Sequence, residues 1–160
     1  MRLLLLLLLF VSCCLHAFSA NVMAPLLVQD RDTFRQQLQI AKQIGVEGVS
    51  VDVWWGLVEE RGDQQFNWQY YDEIFADIRG AGLKIMPIMA FHQCGGNVGD
   101  DCDVPLPAWV WQHFRPQGLT IADLQYQSEY GNRSAETLAL WADPWAMPQY
   151  IEFMQAFVSQ

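Results

Sequence analysis

Two polar side chains interrupt apolar runs in this chain of 160 residues. Asp52 stands between Val51 and Val53, just before Trp54 and Trp55, and His92 closes the run from Leu83. Each has an ordinary structural use. Asp52 would serve as a buried acceptor for backbone N–H groups, and His92 as a hydrogen-bonded core histidine. Their joint position, each at the end of a strand-like segment, favours a shared site instead, because α/β sheets and barrels carry their chemistry at the C-terminal ends of strands. After His92 the chain reads Gln93-Cys94-Gly95-Gly96-Asn97-Val98-Gly99-Asp100-Asp101-Cys102. Its glycines permit close backbone approach to a ligand, and Asp100 and Asp101 add carboxylates. That is the composition of a lid, opposed by the plainer reading of a solvated turn. Indole faces stack on sugar rings and carboxylates accept hydrogen bonds from hydroxyls, so Trp, Asp and His at one mouth suit a carbohydrate. Most of the seven tryptophans are nevertheless packing residues.

A second group follows the Asp52 segment. Glu59, Asp63 and Gln64 offer oxygen ligands of the kind hard cations such as calcium take. Their spacing is not that of an EF-hand, and on spacing alone a charged surface turn is the better reading. The chain contains no H-E-x-x-H, no G-x-S-x-G and no phosphate-binding P-loop.

The elements that must position these residues alternate. Val22 to Val28 reads as a buried strand. Asp30 or Asp32 caps a helix with Phe34, Leu38, Ala41 and Ile44 on one stripe and Gly45 at its end. Val46 to Trp55 is a second strand, nearly all apolar, as strands of parallel sheets are. Asn67 caps a second helix with Trp68, Tyr71, Phe75 and Ile78 along one face, ended by Gly80 and Gly82. Leu83 to His92 is a third strand, in which Pro87 is a blemish. Strand, helix, strand, helix, strand predicts right-handed βαβ units and a parallel sheet. The repeat suits a (β/α)8 barrel. The doubly wound alternative lacks a G-x-G-x-x-G after the first strand. Residues 93–145 make a long connection rich in Gly, Pro, Asp and Trp, a length that is unusual unless functional. Met147 to Gln160 returns to helical spacing, with Tyr150, Phe153, Met154 and Phe157 as its stripe. Three strands do not close a parallel barrel, so we expect an N-terminal portion of a longer protein.

The first 20 residues stand apart. Arg2, seven leucines, Phe10 and Val11 lead into small residues up to Ala20. This is a basic region, a short apolar region and a small-residue exit, as in a secretory signal peptide. Cleavage is expected after Ser19 or Ala20, leaving residues 21–160. The apolar run is shorter than the roughly 20 residues of a membrane span, and Phe10 argues against a lipoprotein built on Cys13. We expect a secreted protein with no membrane attachment after leader removal. The formal net charge of −9 makes nucleic acid an unsuitable partner, since phosphate contacts need clustered Lys and Arg. Cys94 and Cys102 remain after the leader and would meet an oxidising compartment. Their spacing makes a bridge the better reading, against the alternative of two separate free thiols.

Several of these segments together resemble one family. Val51-Asp52-Val53-Trp54-Trp55-Gly56 and Phe91-His92-Gln93-Cys94-Gly95-Gly96-Asn97-Val98-Gly99-Asp100 resemble the two N-terminal signatures of the β-amylases, glycoside hydrolase family 14. Met23-Ala24-Pro25-Leu26 and Pro105-Leu106-Pro107-Ala108-Trp109-Val110 fit the same family, well over residues 22–111 and loosely beyond. Gly62-Asp63-Gln64-Gln65-Phe66 and the paired cysteines resemble its bacterial branch. The resemblance implies the first three or so βα units of a (β/α)8 barrel that cuts α-1,4-glucan such as starch from its non-reducing ends, releasing maltose with inversion. It implies that Asp52, His92 and Asp100 bind sugar. Gly95, Gly96, Asn97, Val98, Gly99 and Asp101 would belong to the covering loop, and Cys94 and Cys102 would form a disulfide. Glu59, Asp63, Gln64 and Glu152 would hold a structural calcium ion. Gln149 stands where that site has a glutamate, a departure that removes one negative charge. No organic cofactor is implied.

The same resemblance puts both catalytic glutamates beyond the matched region. Glu129 and Glu136 fit neither motif, so no general acid or base is assigned within residues 1–160. Two other readings are a non-catalytic glucan-binding homologue and an inactive truncated product.

Overall fold

The structure is a computed structural model that describes residues 19–96, 99–138 and 143–160. Residues 1–18 of the expected leader, and Asn97 and Val98 of the expected covering loop, lie outside the described residues. Among the described residues no helix is long and apolar enough to cross a membrane.

A three-stranded parallel sheet carries the site. Strand β1 (Asn21–Met23) pairs with β2 (Gly48–Trp54), and β2 with β3 (Lys84–Ala90), in the order β1-β2-β3. The register sets Met23 against Ser50 and Trp54 against Ala90. The first strand is shorter than the apolar run Val22 to Val28 predicts. Pro25 has no N–H to offer a ladder, and the last link to β2 is the Ala24 N–H donated to the Ser50 carbonyl at 2.8 Å. Pro87 lies within β3 in register with Val51 of β2, and among the described residues β3 has a neighbour on that side alone.

Two crossover helices pack on the sheet. Helix α1 (Arg31–Gln43) is capped by Asp30, whose carboxylate accepts from the Asp32 and Thr33 N–H groups. Asp32 instead pairs with Arg35 at 3.0 Å. Phe34 and Leu38 face the core, whereas Ile44, expected on the same stripe, lies past the last helical turn and is 75% exposed. Trp55 begins a single helical turn, α2 (Trp55–Val58), rather than ending the strand. Helix α3 (Gln69–Gly80) buries Tyr71, Phe75 and Ile78 as its periodicity requires, and the Asn67 side chain accepts from the Gln69 N–H at 3.2 Å. Charge also joins the two helices. Asp77 of α3 accepts from Arg31 and Arg35 of α1, each at 2.9 Å, and Arg31 also pairs with Glu73. The Arg31 hydrogen bond, assisted by Arg35, holds the Asp77 carboxyl below its ordinary value despite its partial burial.

The long connection is not structureless. It contains α4 (Ala108–Phe114), a 3-10 turn (Arg115–Gln117), a short α5 (Ile121–Leu124), and an antiparallel pair, β4 (Gln125–Gln127) with β5 (Arg133–Leu138). Short elements separated by polar turns give weak periodicity, which is why composition alone reads them as loop. Helix α6 (Ala146–Val158) closes the described chain. One core, including Val49, Val53, Trp55, Ile78, Val110 and Phe153, joins the sheet, α3, α4 and α6. Met154, expected on the buried stripe of α6, is only partly buried.

Candidate active site

The C-terminal ends of β2 and β3 lie side by side and place the two polar residues together. Asp52 sits two residues before the end of β2, its backbone carbonyl accepting from the Tyr71 hydroxyl at 3.0 Å. The same hydroxyl accepts from the Trp54 N–H at 2.8 Å. Trp54 packs edge-on against the His92 ring at 5.2 Å between centroids, and its indole N–H donates to the Leu26 carbonyl at 2.8 Å. Asp52, His92 and Asp100 line one cleft of about 180 Å³ with Leu26, Trp54 and Glu136. Burial pushes the Asp52 carboxyl above its ordinary value, and the neighbouring His92 offsets only part of that rise. Carboxylates beside an imidazole and an indole in a cleft can accept hydroxyl hydrogen bonds and stack on a ring.

The loop behind His92 is fixed at its root. Cys94 and Cys102 form a disulfide, with Cα atoms 5.8 Å apart. Cys94 also exchanges two backbone hydrogen bonds with Val104, at 2.9 and 3.0 Å. Within the loop the Gly96 N–H donates to the Asp100 carboxylate at 3.3 Å. Gly95, Gly96 and Gly99 are exposed. Asp101 is exposed too and does not line the cleft, unlike its neighbour Asp100. Residue patterning missed Leu26 and Glu136 as cleft residues. Leu26 belongs to a short apolar run with no polar marker. Glu136 comes from β5, 44 residues beyond His92 along the chain, and no local spacing marks it.

The oxygen-rich group follows α2 in the chain. Glu59 is buried, and its carboxylate accepts from the Trp55 indole N–H and the Gln64 N–H, both at 2.6 Å. Burial pushes its pKa up, the hydrogen bonds from Trp55 and Gln64 oppose that rise, and the nearby Asp63 and Glu152 carboxylates add to it. Gln64 holds a left-handed backbone, φ 59°, the one non-glycine to do so among the described residues. From α6, Gln149 Oε1 and Glu152 Oε2 are buried without a hydrogen-bond partner among the described residues. Orphaned oxygens on α6, with Glu152 near the buried Glu59 carboxylate, match the donor chemistry of a hard cation. Among the described residues no three His, Cys, Asp or Glu side chains converge as a metal-ligating group. A cation here would therefore draw on the amide oxygens of Gln64 or Gln149 as well.

Comparison with known proteins matches these features to a family. The glycosyl hydrolase family 14 model covers residues 21–160. The thermophilic beta-amylase of Thermoanaerobacterium thermosulfurigenes is 42% identical over 144 residues, covering 89% of this chain and 25% of that protein. The Bacillus cereus beta-amylase is 40% identical over 146 residues, covering 89% of this chain and 26% of its own length. The chain thus spans about a quarter of these two relatives. Among solved structures, the catalytic domain of beta-amylase from Paenibacillus polymyxa superposes with a TM-score of 0.71 at 41% identity, over 89% of this chain and 33% of that one. A beta-galactosidase from the psychrophilic Marinomonas ef1 reaches a TM-score of 0.59 at 13% identity, over 88% of this chain and 19% of that one, and shares the fold alone. The parallel strands and crossover helices are accordingly part of a (β/α)8 barrel. With the family model spanning all of residues 21–160, the chain belongs to glycosyl hydrolase family 14.

Proposed function

We propose that the full-length protein is a β-amylase, hydrolysing the α-1,4-glucosidic bonds of starch-like glucans from their non-reducing ends and releasing maltose with inversion. The observation that carries this reading is one cleft, lined by Asp52, His92 and Asp100, in a chain 42% identical to a beta-amylase. In this reading the three side chains accept and donate hydrogen bonds to sugar hydroxyls, Trp54 gives the apolar wall, and residues 95–101 cover the bound end. Burial holds the Asp52 carboxyl above its ordinary value, an effect that the neighbouring His92 opposes in part.

Inversion needs an acid to protonate the leaving oxygen and a base to activate water, with carboxyls roughly 6.5–9.5 Å apart. Neither is assigned within residues 1–160, so these residues bind and orient, and alone hydrolyse nothing. A calcium ion held by Glu59, Asp63, Gln64 and Glu152 would supply fixed positive charge that ties the loop after α2 to α6. Residues 1–20 act as the export leader.

The test is expression of the full-length chain in a secreting host. The expected product appears in the medium, starts at Ala20 or Asn21 by N-terminal sequencing, and releases β-maltose from starch. Asp52→Asn loses most of that activity while folding normally. Starch co-sedimentation without maltose release would replace the enzyme with a glucan-binding homologue.

A further inference from the structure

The two adjacent glycines at the root of the cleft loop are required by different neighbours. At Gly95, φ is +103°, and a Cβ would stand 2.6 Å from the Cys102 carbonyl oxygen. That position is crowded by backbone on the returning limb of the loop. Gly96 has no such backbone strain. A Cβ there would stand 2.8 Å from Glu136 Cγ and 3.4 Å from Glu136 Oε1. The side chain of β5 therefore occupies the space a residue at position 96 would need.

Glu136 is tied to the same stretch a second time, because its backbone carbonyl accepts the Gln93 N–H at 3.3 Å. The segment between His92 and Gly96 is thus held on one side by the Cys94–Val104 bridge and the disulfide, and on the other by Glu136. One end of that segment lines the cleft through His92, and the other meets it only through Asp100. Gln93 follows His92 directly, and the Gly96 N–H donates to Asp100. Glu136 itself reaches the cleft wall.

We infer that Glu136 is a positioning residue for the sugar cleft, setting the separation of His92 and Asp100 by seating its side chain against Gly96 and its carbonyl on Gln93. The inference rests on the reading of the cleft as a glucan site. It is distinct from acid or base catalysis, since Glu136 acts through the loop root. Its steric part requires the Cβ–Cγ stem more than the charge.

A double-mutant cycle in the full-length protein tests this, with KM and kcat on a short malto-oligosaccharide and melting temperature as readouts. Gly96→Ala is expected to raise KM about tenfold with a much smaller change in kcat. Glu136→Ala is expected to raise KM as well. The Gly96→Ala/Glu136→Ala double variant should be no worse than Glu136→Ala alone, because the clash has gone. Glu136→Gln keeps the stem, so it should retain near-native KM alone and give Gly96→Ala no relief. Gly95→Ala should be unrelieved by Glu136→Ala, since its obstacle is backbone. Additive KM effects in the double variant, or lowered melting temperatures with unchanged KM, would overturn the role of Glu136. Absence of both maltose release and glucan binding in the unsubstituted protein would instead overturn the functional reading beneath it.

Discussion

The Tyr71 hydroxyl both donates to the Asp52 carbonyl and accepts from the Trp54 N–H, so one buried phenol braces the stretch of β2 that carries the cleft. Burial pushes its pKa well above the ordinary phenol value, and it stays neutral and able to donate throughout the working range. Tyr71→Phe keeps the ring packing and leaves the Trp54 N–H and Asp52 carbonyl short of a partner. Such an orphaned buried group costs about 1–3 kcal/mol. Denaturant unfolding of the full-length protein should show that loss, and KM should rise with it because Asp52 is no longer held. A variant as stable as the parent would show that β2 does not depend on this contact. Periodicity identified Tyr71 only as one of a helix's buried stripe. Its hydroxyl partners lie 17 and 19 residues away, and nothing in local spacing marks a bond between a helix face and a strand end. Asp52 and His92 were legible because each interrupts an apolar run, whereas Glu136 sits in a polar hairpin where one more carboxylate carries no signal.

Between elements, the loop after α2 and helix α6 bring two carboxylates, Glu59 and Glu152, near each other. Glu59 already accepts two hydrogen bonds, while Gln149 and Glu152, one turn apart on α6, leave buried oxygens without partners. A cation joining them would stabilise the folded state by mass action, about 2.7 kcal/mol at a hundredfold excess over its Kd. We expect the melting temperature of the full-length protein to rise with added Ca2+ and fall with chelator. Gln149→Glu gives the sharper outcome. Without the ion, a further buried carboxylate one turn from Glu152 is destabilising. With it, the added charge strengthens ligation, so the variant should melt below the parent in chelator and gain more from Ca2+. Equal melting temperatures with and without chelator in both proteins would remove the ion from this centre. The loop's own side of the group was visible in sequence as Glu59, Asp63 and Gln64. Its α6 side is separated by some 90 residues, and only the fold brings Glu152 near. The ion pairs of Arg31 and Arg35 with Asp77 were hidden for the same reason.

At the scale of the whole molecule, the sheet is unequally covered. The central strand β2 is buried along most of its length, while all of β1 and most of β3 remain open. Met23, Met86 and Ile88 are 56%, 36% and 42% exposed, and on α6 Ile151 and Val158 are 42% and 84% exposed. In a closed (β/α)8 barrel, inward side chains fill the interior and every strand has two neighbours. Among the described residues β1 and β3 each have one neighbour in the sheet, and an unpaired edge invites pairing with other chains. The alternation of strands and helices made the barrel legible, yet apolar strand composition predicted burial on both faces, which only β2 achieves. Burial of an edge strand depends on partners outside residues 21–160, and these residues span about a quarter of the relatives they match. Purified alone, residues 21–160 should therefore unfold over a broad range, bind a hydrophobic dye strongly, self-associate with rising concentration and release no maltose. In the full-length protein the same apolar residues should be buried and unfolding cooperative. A sharp, concentration-independent transition in the isolated segment would mean that the β1-β2-β3 core is stable without its barrel neighbours, and the open strand faces would then need another explanation.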